Sequence, residues 1–186
     1  MSQDSVLLID VCSQTLHSLE FVRPIKDILT AKNIKVKELA ANQLNNKILD
    51  ECDAVIICGT SLLDDEYLED LDVFSSLKEC DKPILGICAG MQILIRLFGG
   101  SLIDCLEIGL TTIMLEKPCF GLKGEVEVYE LHQYATLPDE SVFESIAHNS
   151  SCAQIVFHRK KKIVGTMFHP EVRNKELIVE FFKNKT

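Results

Sequence analysis

The sequence predicts an α/β protein: an open, mostly parallel sheet flanked by helices, with antiparallel additions in its second half. Three observations predict it. Strand-length runs such as Ala54-Val55-Ile56-Ile57-Cys58 are apolar throughout rather than alternating, as in strands covered on both faces. Segments of helical period separate these runs in the first half. From Thr111 onward, short β-rich runs succeed one another up to a final helix, the pattern of antiparallel strands.

The chain has 186 residues, enough for one domain over 1–186 and short for two. Its 47% apolar and 25% charged content is that of a globular chain rather than a disordered one. A formal net charge of −9 argues against a nucleic-acid partner. No apolar run approaches the roughly 20 residues of a membrane-spanning helix, and Met1-Ser2-Gln3-Asp4 lacks the basic flank of a signal peptide. The expectation is a cytoplasmic protein that binds neither membrane nor nucleic acid.

The elements follow in order. Val6-Leu7-Leu8-Ile9 reads as a strand ending at Asp10. Leu16, Leu19, Val22, Ile28 and Leu29 form a helical stripe that Pro24 should kink or divide. Val36 and Leu39 mark a weak second strand, and Gly59 stops the third, Ala54 to Cys58. Tyr67, Leu68, Leu71, Phe74 and Leu77 predict a helix, and the acidic stretch Asp64 to Asp70 beside it reads as a solvated face. Pro83 to Ile87 is a buried strand, followed by a helix from about Ala89 to Phe98 that Gly99-Gly100 ends. Thr111 to Leu115, Val126 to Tyr129, Ala153 to Phe157 and Ile163 to Phe168 are the antiparallel additions, with Arg159 to Lys162 turning between the last two. Leu177, Ile178, Phe181 and Phe182 define a closing amphipathic helix.

Eight cysteines could form disulfides, but a chain able to bury a sizeable core does not need them. There is no Cys-x-x-Cys pair and no zinc-type Cys/His spacing, so neither metal nor cofactor is expected. Most of the cysteines sit beside Val, Ile, Leu or Ala and read as small core hydrophobes.

Cys88 differs. Gly86-Ile87-Cys88-Ala89-Gly90 sets a cysteine between two glycines, after a buried strand and before a helix, which is the nucleophile-elbow pattern. A tight strand-to-helix turn strains the backbone and leaves no room for bulky neighbours. It presents the sulfur at the carboxyl edge of the sheet, where open α/β sheets bind ligands. The amide of Ala89 can then face a developing oxyanion. An imidazolium about 4 Å from an anionic sulfur contributes on the order of 4 kcal/mol, more than a helix start does, so the elbow needs a histidine partner.

Of five histidines, His17 (first helix), His148 (loop) and His158 (strand) read as structural or solvated. His132 is a possible site residue without a motif around it. His169-Pro170-Glu171 follows directly on an apolar strand; Pro170 keeps His169 extended, and Glu171 is near enough to orient its ring.

With these residues the chain resembles the class I, triad-type glutamine amidotransferases over nearly its whole length. Gly86 to Gln92 is similar to their nucleophile motif and Gly165 to Glu171 to their closing motif. Within the family it looks most like the glutaminases that are separate subunits of GMP synthases: Ser13-Gln14, Glu107-Ile108-Gly109-Leu110-Thr111 and Phe168 to Val172 carry that likeness. The resemblance implies glutamine as substrate, a Cys88–His169–Glu171 triad, and an oxyanion hole from Ala89 and the Gly59-Thr60 loop. It also implies a glutamine pocket lined by Gln92, Leu131 and His132, and a separate ammonia-accepting synthase. The chain departs from the family pattern at Cys12, at Thr60 and at Leu131, where the family has glycine, glycine and serine. Thr60 is β-branched and resists positive φ. The rival readings are a non-catalytic binding or regulatory relative and a cysteine hydrolase or glyoxalase/chaperone of the DJ-1 and PfpI type.

Overall fold

The computed structural model describes residues 5–184; the N-terminal reading of Met1 to Asp4 lies outside them. Among the described residues a nine-stranded sheet forms, in the order β2-β1-β3-β4-β9-β8-β7-β5-β6. The strands are β1 (Ser5–Asp10), β2 (Lys35–Ala40), β3 (Ala54–Ile57), β4 (Ile84–Ile87), β5 (Ser101–Leu115), β6 (Glu125–Leu137), β7 (Phe143–His148), β8 (Ala153–His158) and β9 (Ile163–Thr166). From β2 through β1, β3 and β4 to β9 every pairing is parallel. From β9 through β8, β7 and β5 to β6 every pairing is antiparallel. The division into parallel and antiparallel parts agrees with the expected fold class.

Every residue of β3, β4 and β9 is buried, as expected for strands covered on both faces. The helices are α1 (Thr15–Phe21), α2 (Arg23–Thr30), α3 (Asn46–Asp50), α4 (Ala89–Leu97) and α5 (Glu176–Lys183). Helix α4 packs on β4, β9 and β3, while α2 packs on β2 and α5. Pro24 does divide the first helical stripe: α1 ends at Phe21 and Pro24 lies in the first turn of α2, where a missing N–H leaves no helix bond unmade.

Three expectations need correction. The stretch after Asp64 forms two 3₁₀ turns, Glu66–Leu68 and Leu71–Lys78, and no α-helix. Leu71, Phe74 and Leu77 are spaced by three, the period of a 3₁₀ helix, and Phe74 and Leu77 are the buried ones. The β5–β6 hairpin is far longer than its two apolar runs suggested, because Asp104, Glu107 and Gly109 interrupt the β signal of an arm that is only half buried. Strand β7, with Glu144 and Ser145 inside it, takes its conformation from pairing with β8, and it places His148 at a strand end rather than in a loop.

Two glycines set how closely α4 can approach the sheet. A Cβ on Gly90 would lie 2.3 Å from the Ile57 carbonyl oxygen, and one on Gly86 would lie 2.6 Å from the backbone of Gly90. The backbones of β3, β4 and α4 therefore touch at this corner. Gly90→Ala is expected to lower unfolding stability by about 1–3 kcal/mol, the cost of overpacking a filled core. Urea denaturation with an unchanged m-value checks it.

Candidate active site

Three adjacent parallel strands, β3, β4 and β9, end at one edge of the sheet. Their carboxyl ends carry Gly59-Thr60, Cys88 and His169, and loops at this edge are where such sheets hold ligands. Cys88 lies between β4 and α4 at φ 49° and ψ −105°, a strained conformation for a residue with a side chain. Its N–H donates to the Thr166 carbonyl (2.8 Å), and its carbonyl accepts the first bond of α4, from Gln92 N–H (3.0 Å). The elbow expected from the two glycines is present.

His169 and Glu171 are buried, and Nδ1–H of His169 donates to Oε1 of Glu171 at 2.7 Å. Pro170 separates them, so the carboxylate reaches back to the ring from two residues on. Nε2 of His169 is buried with no hydrogen-bond partner, and the Cys88 sulfur is close enough to interact with the ring electrostatically. Burial alone would lower the imidazole pKa. The negative charge of Glu171 and the nearby Cys88 outweigh it, holding the pKa well above the ordinary histidine value. The ring of Phe21 covers His169, with centroids 5.4 Å apart. The backbone N–H of His169 donates to Tyr129 of β6 (2.9 Å), which fixes the closing motif to the hairpin arm.

Gly59 is needed for room. A Cβ there would sit 2.6 Å from Cε1 of His169. Thr60 follows it, buried, and adopts no positive φ, so the strain expected of a β-branched residue at this place does not arise. Its hydroxyl donates to Asp64 Oδ2 (2.6 Å). The same carboxylate accepts from the Ser13 N–H (3.2 Å), from the Ser13 hydroxyl and from Nδ1 of His17 (2.6 Å). Burial opposes its charge, yet these donors lower the Asp64 pKa to about 2. Asp64 thus ties the Thr60 loop to the first βα turn. The solvated reading holds for Asp65, Glu66, Glu69 and Asp70 but not for Asp64, and His17 belongs to this network. Nothing in the spacing of Asp64 marks it; only the convergence of Ser13, His17 and Thr60 does.

The β6 arm closes the other side. The Cys88 thiol donates to the Leu131 carbonyl (3.5 Å), and Gln92 Nε2–H donates to the Tyr134 carbonyl (2.8 Å). Tyr67, which the sequence offered only as a helix-face residue, donates its hydroxyl to Gln92 Oε1. Between Thr60, Tyr67, Leu131 and Tyr134 lies a cleft floored by Cys88, Ala89 and Gln92, with about 10 Å³ free, room for at most one water. His132 borders this cleft, and its buried ring extends to Glu107 and Glu130, with Nε2 3.3 Å from a carboxylate oxygen of each. The site candidates singled out in the sequence all lie around this one corner.

Fold and site together define a class: an α/β protein with a cysteine elbow facing a buried histidine–glutamate pair. Residues 9–186 match the glutamine amidotransferase class-I family, and the chain belongs to it. It is 31% identical over 156 residues to a subunit of the glutamine-hydrolyzing GMP synthase of Thermoplasma acidophilum, covering 79% of this chain and 77% of that one. The corresponding GMP synthase subunit of Methanococcoides burtonii is 28% identical over 201 residues, covering 98% and 97%. A crystal structure of a GMP synthase subunit from Thermoplasma acidophilum superposes with a TM-score of 0.87 at 23% identity over 98% of this chain and 94% of that one. PurLQS from Thermotoga maritima shares the fold at a TM-score of 0.73 and 14% identity, over 98% and 99%.

The His169–Glu171 pair makes a pH prediction. Because the folded pKa of His169 is raised, its stabilisation is fully present below about pH 6.5, the unfolded value, and is lost as pH rises through the folded value. Glu171→Gln removes the charge that raises it. Near pH 6 the variant is expected to be about 3 kcal/mol less stable, the cost of breaking a buried pair. The gap to the parent protein should then close as pH rises, in urea unfolding measured from pH 6 to pH 10.

Proposed function

We propose that the chain is the glutaminase subunit of a two-subunit GMP synthase, hydrolysing glutamine and delivering ammonia to a separate synthase chain. The observation that carries this reading is the meeting of Cys88, the buried His169–Glu171 pair and the Gly59-Thr60 loop at the ends of three neighbouring strands. The names of the relatives support the choice of synthase.

In this reading His169 takes the Cys88 proton and the sulfur attacks the side-chain amide carbon of glutamine. The carbonyl π bond opens onto oxygen. The oxyanion is met by backbone N–H groups of Ala89 and of the Gly59-Thr60 loop, fixed donors that need no reorganisation. As imidazolium, His169 passes the proton to the departing nitrogen, the C–N bond breaks, and ammonia leaves behind a glutamyl thioester. Water then gives a proton to His169 and attacks the thioester, and the sulfur takes the proton back as glutamate departs. Glu171 holds the ring in register and stabilises its cationic form. Gln92, the Leu131 backbone and His132 line the glutamine pocket.

A glutamine side chain needs far more space than the 10 Å³ of the cleft. The Tyr67–Gln92 bond and the Asp64 anchor hold its walls together. Docking of the synthase is the event that opens it, which ties ammonia release to the presence of an acceptor.

Glutamate release from glutamine, with and without the cognate synthase chain, tests the reading. Turnover should rise strongly when the synthase is added. Cys88→Ala should lose at least about 10³-fold in rate, with His169→Ala adding little further loss because the two act as a unit. No glutamate under any pairing, with a Cys88 thiol that ignores glutamine-like chloroketones, would refute the assignment and favour the non-catalytic relative.

A further inference from the structure

One buried polar cluster extends away from the glutamine pocket and shares only His132 with it. Nδ1 of His132 lies 3.0 Å from the Cys105 carbonyl oxygen, which can only accept, so this nitrogen carries the proton. In the neutral ring Nε2 is then a lone pair, fully buried, and it points among acceptors. Glu107 Oε2 and Glu130 Oε2 each lie 3.3 Å away, yet neither makes a hydrogen bond with it. Both oxygens of Glu130 are buried and unpartnered as well. A lone pair and two carboxylates facing one another without a proton between them repel; a cation at their centre reverses the sign of every term.

The fold brings sulfur to the same point. Cys152 Sγ is 3.8 Å from Glu107 Oε2, and one ligand atom from each of Glu107, His132 and Cys152 lies within 4.8 Å of the others. The edges of a tetrahedron built with zinc bond lengths are about 3.3–3.6 Å, so the 3.3 Å and 3.8 Å separations are close to ligand spacing. A supporting shell is in place. The Cys105 carbonyl fixes the His132 tautomer, and Glu107 is held by Asn149 Nδ2 (2.9 and 3.1 Å) and the Ser151 hydroxyl (3.1 Å). The register of β5 slips between Asp104 and Glu107. That bulge turns Cys105 and Glu107 inward, where unbroken alternation from the inward Leu102 would turn them out.

We propose that Glu107, His132 and Cys152 form a site for a zinc-class divalent ion, with the Glu130 carboxylate, 3.3 Å from His132 Nε2, beside it. One nitrogen, one sulfur and carboxylate oxygens form a donor set that suits zinc and disfavours magnesium or calcium. On binding, the Cys152 S–H bond breaks, the proton goes to solvent, and a sulfur–metal bond forms without change of oxidation state. The ion would lock the segment of β6 whose Leu131 carbonyl meets the Cys88 thiol.

The test is titration of chelator-treated full-length protein with Zn²⁺ and Co²⁺, read by calorimetry and by the visible and thiolate-to-cobalt absorption bands. It needs no glutamine, so its outcome is independent of the glutaminase assay. One ion per chain, tetrahedral cobalt bands and full retention in Cys88→Ser are expected. Cys152→Ser and Glu107→Gln should each lose the cobalt–thiolate band or the site. Asn149→Ala should weaken binding by about 10–100-fold, as loss of an outer-shell partner does. Circular dichroism confirms that each variant is folded, and the Asn149→Ala change, which leaves all three ligands in the chain, keeps the test informative if a ligand variant is not. Undiminished binding in Cys152→Ser, loss of binding in Cys88→Ser, or no stoichiometric binding would overturn the proposal.

Discussion

The backbone of Cys88 is the constraint on which the rest of the structure depends. A residue with a Cβ at φ 49° and ψ −105° lies outside the left-handed basin and costs on the order of 1–3 kcal/mol. The surroundings hold it there. Its N–H is bound by β9, its carbonyl starts α4, and Gly86 and Gly90 let two strands and a helix meet backbone to backbone. The result is a sulfur fixed at the carboxyl edge of β4, beside the ends of β3 and β9. A relaxed cysteine on an ordinary loop would reach the same region but would mostly point elsewhere.

Around that fixed point the molecule buries charge and then satisfies it. Glu171 serves one nitrogen of His169. Asp64 serves Ser13, His17 and Thr60, gathering backbone and side-chain donors on one carboxylate. Each would be costly if left alone in the interior, and each instead fixes a segment: the closing motif in one case, the loop after β3 in the other. The His132 cluster is the contrast. There Glu107 has donors, but Nε2 of His132 and both oxygens of Glu130 are buried with no hydrogen-bond partner, and the same rule makes a bound cation the natural completion.

The hairpin arm β5–β6 joins these two regions. Leu131 and His132 are adjacent on β6: the Leu131 carbonyl meets the Cys88 thiol, and the His132 ring lies among Glu107, Glu130 and Cys152. Any change that shifts β6 alters both, and the bond from His169 N–H to Tyr129 carries the shift into the closing motif as well.

Much of this was legible in the chain itself. The uninterrupted apolar runs marked β1, β3 and β4, since strands buried on both faces have no polar side to show. Two glycines flanking Cys88, and proline after His169, marked the elbow and its partner, because tight backbone geometry admits few residue types. The β5–β6 arm and β7 were harder to read. Their residues are half buried and carry charges, so pairing with neighbours rather than local preference decides their state. The roles of Asp64 and Tyr67 and the meeting of Glu107, His132 and Cys152 had no local signature: their partners come from segments far apart in sequence. The order of residues thus specifies which reactive groups the chain carries and which turns hold them. Which side chains meet is settled in three dimensions alone, because contact across a folded sheet depends on strand order and register, and short-range spacing records neither.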